Sequence, residues 1–239
     1  MKAATKKLII IALALVGIGT ALALIALVSV DFNYSAFDTQ PPYEQKKYTY
    51  AASKVTGIDV STCDTSVMIK SGSGEDINIT CFENSIETYD IGMDEDGTLR
   101  VEYVQKQDWR NNIGINFGQM DKKLIITLPA ELAGMIDVNT TSGDIELNGV
   151  SAQKDIRLQA SSGDITFGGL SAAGFLFKTS SGCVRGDITG DVNEFCIDAD
   201  TSSGEIDVPR ASNGTKRIAV STSSGDIDID ITANIDIKN

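Results

Sequence analysis

Histidine is missing from all 239 residues. Its absence removes the commonest general base and the commonest metal ligand, and with them His-based triads and most zinc sites. Proline is scarce, with four residues, and the four cysteines (Cys63, Cys81, Cys183, Cys196) show no CxxC spacing that would build a metal knuckle. Basic residues number 20 against 33 acidic ones, a formal charge of −13 that argues against nucleic acid and anionic lipid as direct partners. No Gly-rich phosphate loop, nucleophile elbow or Ser/Lys motif is present.

One stretch is rich in what the rest lacks. Leu8 to Val30 runs 23 positions without a charge, about 34 Å of helix, enough to cross a bilayer core. Lys2, Lys6 and Lys7 precede it and Asp31 follows, so the positive-inside rule predicts a cytoplasmic N-terminus and an exported remainder. A cleaved signal peptide ending near Ala21–Ala23 is the alternative, but the apolar run continues past that site. The expected organisation is a cytoplasmic stub and anchor over 1–30, a juxtamembrane linker over 31–51, and an extracytoplasmic domain over 52–239. The linker carries Phe32, Tyr34, Phe37, Tyr43, Tyr48 and Tyr50 beside Pro41-Pro42, read as extended chain with its first aromatics in the headgroup layer.

Glycine is plentiful, with 22 residues, and five of them recur in near-copies of one turn. These are "TTSGDIE", "ASSGDIT", "TSSGCVR", "TSSGEID" and "TSSGDID", with Gly143, Gly163, Gly182, Gly204 and Gly225 spaced 20, 19, 22 and 21 residues apart. Seven and five positions before each glycine stand apolar pairs such as Ile136/Val138 and Ile218/Val220; two and four after it stand pairs such as Ile145/Leu147 and Ile227/Ile229. Period-2 alternation on both sides of a fixed turn is the pattern of half-buried strands. Successive coils stacked about 4.8 Å apart would share one core that a single coil cannot bury. The predicted fold is all-β, a parallel β-solenoid of about 20-residue coils, regular over 135–239, with a short third side marked by Val150, Leu170 and Ala211. The turn glycines are expected to supply positive φ, the Ser and acid side chains to satisfy the bend, and the threonine column to bond from coil to coil. From about Ala52 to Pro129 the same style continues less regularly, and "QDWRNNIGINFGQM" reads as a loop or hairpin. The closing "DIDIDITANIDIKN" reads as a charged edge that discourages end-to-end stacking.

"SSGDI"-type runs about every 20 residues behind one apolar segment resemble the bacterial "putative adhesin" domain family of β-solenoid proteins, over roughly Ala52–Asn239. The resemblance implies a solenoid and, through some relatives, a link to envelope-stress responses. Cys183 in place of the turn acid and Gly186 in place of an apolar residue depart from the pattern and put the third coil's regularity in question.

The sharpest candidate chemistry is the acid column Asp144, Asp164, Glu205 and Asp226, interrupted by Cys183. Stacked carboxylates about 5–10 Å apart could hold calcium, although one acid per turn is sparse for such a site. Solvated turn acids and no cofactor are the expectation, with a calcium-binding surface repeat as one alternative. A polysaccharide-acting β-helix enzyme is another, but it needs two carboxylates at a set separation in a cleft. "RGD" at Arg185–Asp187 matches an integrin-binding tripeptide that arises often by chance. The threonine column has inward parity and so cannot form a flat ice-binding face. Cys183 and Cys196 lie at opposite ends of a strand, beyond disulfide reach. Free cysteines are expected, with Cys63–Cys81 the one bridge to test. The sequence therefore points to a non-enzymatic, membrane-anchored envelope interaction or scaffold module, adhesin-like or tied to envelope stress. Its expected partners are the membrane, through the helix, and an unidentified envelope protein or glycan.

Overall fold

The structure, a computed structural model, describes residues 3–29, 31–32, 41–106, 122–132 and 134–233. They fall into two units, the N-terminal helix and a β unit that starts at Pro42. The helix α1, Ala3–Ser29, has leucines such as Leu8, Leu13 and Leu22 more than 60% exposed. Thr5–Ser29 is the one helix among the described residues that is long and apolar enough to cross a membrane. A helix apolar on every face has no stripe to pack against a soluble core.

The β unit begins with β1 (Glu44–Ala51), β2 (Gly57–Thr62), β3 (Ser66–Ser71), β4 (Asp76–Glu83), β5 (Glu87–Met93), β6 (Thr98–Gln105), β7 (Lys123–Leu128) and β8 (Glu131–Leu132). The first regular coil is β9 (Met135–Thr140), β10 (Ile145–Asn148) and β11 (Ser151–Ala152). Each later coil is a pair: β12 (Ile156–Ala160) with β13 (Ile165–Leu170), β14 (Phe175–Lys178) with β15 (Val184–Thr189), β16 (Phe195–Ser203) with β17 (Ile206–Asp207), and β18 (Lys216–Ser224) with β19 (Ile227–Thr232). Within each pair the first strand joins an eight-stranded sheet and the second a nine-stranded sheet. A short third side holds β8 against β11 and a bridge from Ser151 to Ser171, at the corner where sequence spacing places it. Gly149 and Gly169 turn into that side with φ near +60°, a conformation glycine adopts freely.

The inward columns are those the periodicity picks out. Ile58, Ile136, Ile156 and Ile218 are at most 1% exposed, as are Ile145, Ile165, Val184 and Ile227. They belong to one continuous core. Gly186, out of pattern in sequence, makes room for its neighbour: a Cβ there would collide with the backbone and ring of Phe167, which fills the space instead. Phe167, Phe177, Phe175 and Phe195 then form a run of rings with successive centroids 4.6–6.4 Å apart.

Three expectations are corrected. The stack is not wholly parallel, because β1 pairs antiparallel with β4, β4 with β7, and β5 with β6. The linker assigned to 31–51 ends early, since Glu44–Ala51 is a strand whose Tyr48 and Tyr50 pack on the core; residues 33–40 lie outside the described set. The coils do not stack in chain order either. The eight-stranded sheet runs β12-β14-β18-β16 and the nine-stranded one β13-β15-β19-β17, so the last coil enters between the third and fourth. Composition favours this order. At the four inward positions the last coil carries Ile218, Val220, Ile227 and Ile229, whereas the displaced coil carries Ile197, Ala199, Ile206 and Val208, smaller at two of the four. The richer coil takes the position with neighbours on both sides. The described part of the closing run, "DIDIDIT", is consequently no terminal edge: β19 lies between β15 and β17, with Asp228 and Asp230 outward, and residues 234–239 lie outside the described set. The segment read as a loop or hairpin, 107–120, lies outside the described residues.

The turn glycines have a different reason from the expected one. Gly143, Gly163, Gly182 and Gly225 are absent from the positive-φ residues. Instead each packs flat on the coil beneath: a Cβ on Gly163 would overlap the carbonyl of Gly143, one on Gly182 that of Gly163, one on Gly225 that of Gly182. A Cβ on Gly204 would likewise overlap the carbonyl of Gly225. Gly163→Ala is therefore expected to destabilise the domain by about 3 kcal/mol, as overpacking of backbone against backbone does. Calorimetry on the full chain in detergent reads this as a lowered Tm; an unchanged Tm would contradict the packing role.

Candidate functional site

The four carboxylates singled out in sequence do form a column, and the structure shows what occupies them. Asp144 Oδ1 accepts a hydrogen bond from the Asp164 N–H at 2.9 Å, and Asp164 Oδ1 accepts from the Cys183 N–H at 2.8 Å. Asp226 Oδ1 accepts from the Glu205 N–H at 3.1 Å, and Asp226 also meets Arg185 at 3.2 Å. Asp144, Asp164 and Asp226 thus cap the turn of the coil stacked above them, while Glu205, on the outermost coil, caps none among the described residues. Beside them the threonine hydroxyls run the other way: Thr179 donates to Gly163 O, Thr222 to Gly182 O and Thr201 to Gly225 O, at 3.0–3.1 Å. Both ladders repeat the altered coil order independently of the sheets.

This geometry disfavours the calcium alternative. Oxygens already accepting backbone N–H bonds are poor cation ligands, and no group of three acids or cysteines among the described residues is placed to hold a metal ion. The adjoining depression, about 280 Å³, mixes Asp144, Glu146 and Asp164 with Lys123. RGD is accounted for as structure: it lies inside β15, flanked by β13 and β19, and Asp187 accepts from the Gly169 N–H at 2.9 Å.

Two clusters escaped the sequence reading. On the outer face of the eight-stranded sheet, Arg100, Asp59, Asp137 and Arg157 stand side by side in register. Partial burial raises the Asp137 carboxyl, the neighbouring Asp59 charge raises it further, and Arg157 opposes. Like charges on adjacent strands sit about 4.8 Å apart, near the spacing of a retaining glycosidase, but on the flat face of a sheet. The second cluster is at the antiparallel end. Lys122 Nζ contacts Glu87 Oε2 at 2.7 Å and Tyr43 OH at 2.8 Å, Tyr43 OH donates to Glu87 at 2.9 Å, and the ammonium lies 4.2 Å from the Tyr43 ring centre. Burial lowers the Lys122 pKa, but its bonds to Glu87 and Tyr43 outweigh this and the net shift is upward. Burial raises Tyr43 and pushes Tyr89 up to about 12. These shifts hold protons on lysine and tyrosine, away from the deprotonated forms a base or nucleophile needs at neutral pH. The cluster is a clasp between the residue before β1, the first residue of β5 and the residue before β7. Nothing in the residue spacing could have joined positions 43, 87 and 122.

All four cysteines are free. Cys81 faces the core, and burial with the nearby Glu83 carboxylate pushes its thiol up to about 12, while Cys63 is exposed. Since the folded value exceeds the ordinary one, Cys81 contributes stability that is complete below pH 9 and lost as pH rises towards 12. Iodoacetamide at pH 8 should alkylate Cys63 and spare Cys81 in the folded chain, as peptide mapping would read; equal labelling would contradict the placement of Cys81. Glu87→Gln, which removes the anion beside Lys122, should cost about 2 kcal/mol, measured as a lower Tm.

A structure described as a "putative cell adhesion protein" from Clostridium sporogenes aligns at a TM-score of 0.57 and 11% identity, covering 81% of this chain and 100% of its own. A "putative adhesin" from Bacteroides fragilis aligns at 0.35 and 13% (80% and 99% covered), and a "putative lipid binding protein" from Parabacteroides distasonis at 0.29 and 16% (79% and 98%). Of these three, the first is similar enough to show a shared fold. No curated protein matches the chain. The family profile described as Toastrack DUF4097 matches residues 55–233.

Proposed function

The chain belongs to the Toastrack DUF4097 family, and from that premise we propose that it is a membrane-anchored extracytoplasmic module that binds or scaffolds other envelope components without catalysis. The observation that carries this reading is the use of the turn carboxylates: they cap backbone N–H groups inside the stack, so the recurring motif is architecture. What remains outward is a flat, in-register array of mixed charge such as Arg100–Asp59–Asp137–Arg157, a surface suited to docking an extended partner. The adhesion-related name of the Clostridium sporogenes structure supports the same class. The α1 helix supplies the anchor, with Lys2, Lys6 and Lys7 on the cytoplasmic side. An adhesin-like role or a part in envelope-stress sensing both use such a module, with an envelope protein or glycan as partner.

Two measurements test it. A membrane-impermeant maleimide should label exposed Cys63 in intact cells without permeabilisation; labelling only after permeabilisation would place the domain inside. The full chain in nanodiscs should retain material from isolated envelopes and release no reducing ends from their polysaccharide. Release of reducing ends, abolished by Asp137→Asn, would make the protein an enzyme instead.

A further inference from the structure

The altered coil order leaves the fourth coil at one end of the stack, and among the described residues that end is unfinished. β16 is the outermost strand of the eight-stranded sheet and β17 that of the nine-stranded sheet. Elsewhere, positions equivalent to Ile197 and Ile206 are buried under a neighbouring coil; here Ile197 is half-buried and Ile206 is 44% exposed. The segment after β17 covers only the first part of the edge, where Ile197 N–H donates to Ala211 O at 2.9 Å and Gly214 N–H to Phe195 O at 3.1 Å. Alternation along a strand aims the backbone groups of Ala199 and Thr201 the same way as those of Ile197, away from β18. Beyond the cover, that row of donors and acceptors faces outward with no backbone partner among the described residues.

Charge selects the occupant. Phe195–Val208 carries Asp198, Asp200, Glu205 and Asp207 and no basic residue. Arg217 on β18 meets Asp198 at 3.1 Å, while the other three have no ion-pair partner among the described residues. A second copy docking edge to edge would set these acids against their equivalents, and like charges on facing strands repel. We propose that the open edge of β16 and β17 is a docking site for an extended basic strand of another protein, in which lysine or arginine alternates with apolar residues. Such a strand adds main-chain bonds to the free edge. Its apolar side chains continue the inward columns over Ile197 and Ala199, and its cations align with Asp198 and Asp200. The inference rests on the interaction-module reading and names one partner class for it.

The test is fluorescence anisotropy with the full chain in non-ionic detergent and a labelled heptapeptide of alternating lysine and valine. Saturable binding is expected, weakened about tenfold or more both by N-methylation of alternate amides, which keeps charge but removes donors, and by replacing lysine with glutamate. The double variant Asp200→Lys/Glu205→Lys, altered only at exposed side chains, should reverse the preference towards the glutamate peptide. Equal binding of the N-methylated peptide would reduce the effect to non-specific charge and overturn the site. So would a stable dimer in sedimentation, which assigns the edge to a second copy. Absence of peptide binding while envelope material is still retained overturns the edge site alone and leaves the broader function standing.

Discussion

The structure depends on one contact repeated through the stack, the flat approach of a glycine α-carbon to the carbonyl of the turn beneath it. Only a residue without a Cβ permits that approach at Gly163 over Gly143, Gly182 over Gly163 and Gly225 over Gly182. Once the turns stack at strand spacing, both flanking strands must pair in register, and the apolar columns align without further choice. The threonine and carboxylate ladders follow from the same spacing, each bond contributing about 1 kcal/mol. A motif that looks like a ligand signature is thereby used up inside the architecture.

The same stacking rule accommodates an order that differs from the order of the chain. A coil fits any level at which its turn glycine meets another, so position is decided by what the coil can bury. The last coil carries larger side chains than the fourth at two of four inward positions, Val220 against Ala199 and Ile229 against Val208, and so gains more from an interior level. Placing the poorer coil outermost leaves a polar, acidic edge, which resists self-association more than an aliphatic one would. At the other end, antiparallel strands β1, β4 and β5 and the Tyr43–Glu87–Lys122 clasp close the stack.

Much of this was legible in the residues. The apolar helix, the strand pairs of every regular coil, the inward columns and the short third side all follow from period-2 alternation around "SSGDI". What sequence reading missed depends on information that does not repeat. The antiparallel end is built from β1, β4 and β5, whose pairing partners share no motif. The clasp joins side chains 44 and 35 residues apart. A glycine that turns the chain and one that lets backbones approach leave the same mark in a sequence. The coil order was hidden because parallel neighbours look alike wherever they sit, and only the relative apolarity of Ala199 and Val220 hints at it. Asp144, Asp164 and Asp226 satisfy turn backbone, the role expected of turn acids, but in the next coil instead of their own, a direction spacing cannot specify.

Function inherits these constraints. The acids Asp144, Asp164 and Asp226 are used up as internal caps, and the Lys122 and Tyr43 pKa values are both shifted upward, so the proposed binding role falls to the outer surfaces and edges. Which surfaces are free depends on the coil order, and that order is directly measurable. Nuclear Overhauser contacts between backbone protons in the isotopically labelled full chain should connect Val184 with Ile227, and Ile227 with Ile206, while Val184 and Ile206 give none. A direct Val184–Ile206 contact would mean that the coils stack in chain order, that β19 is the outer strand, and that the edge described above does not exist.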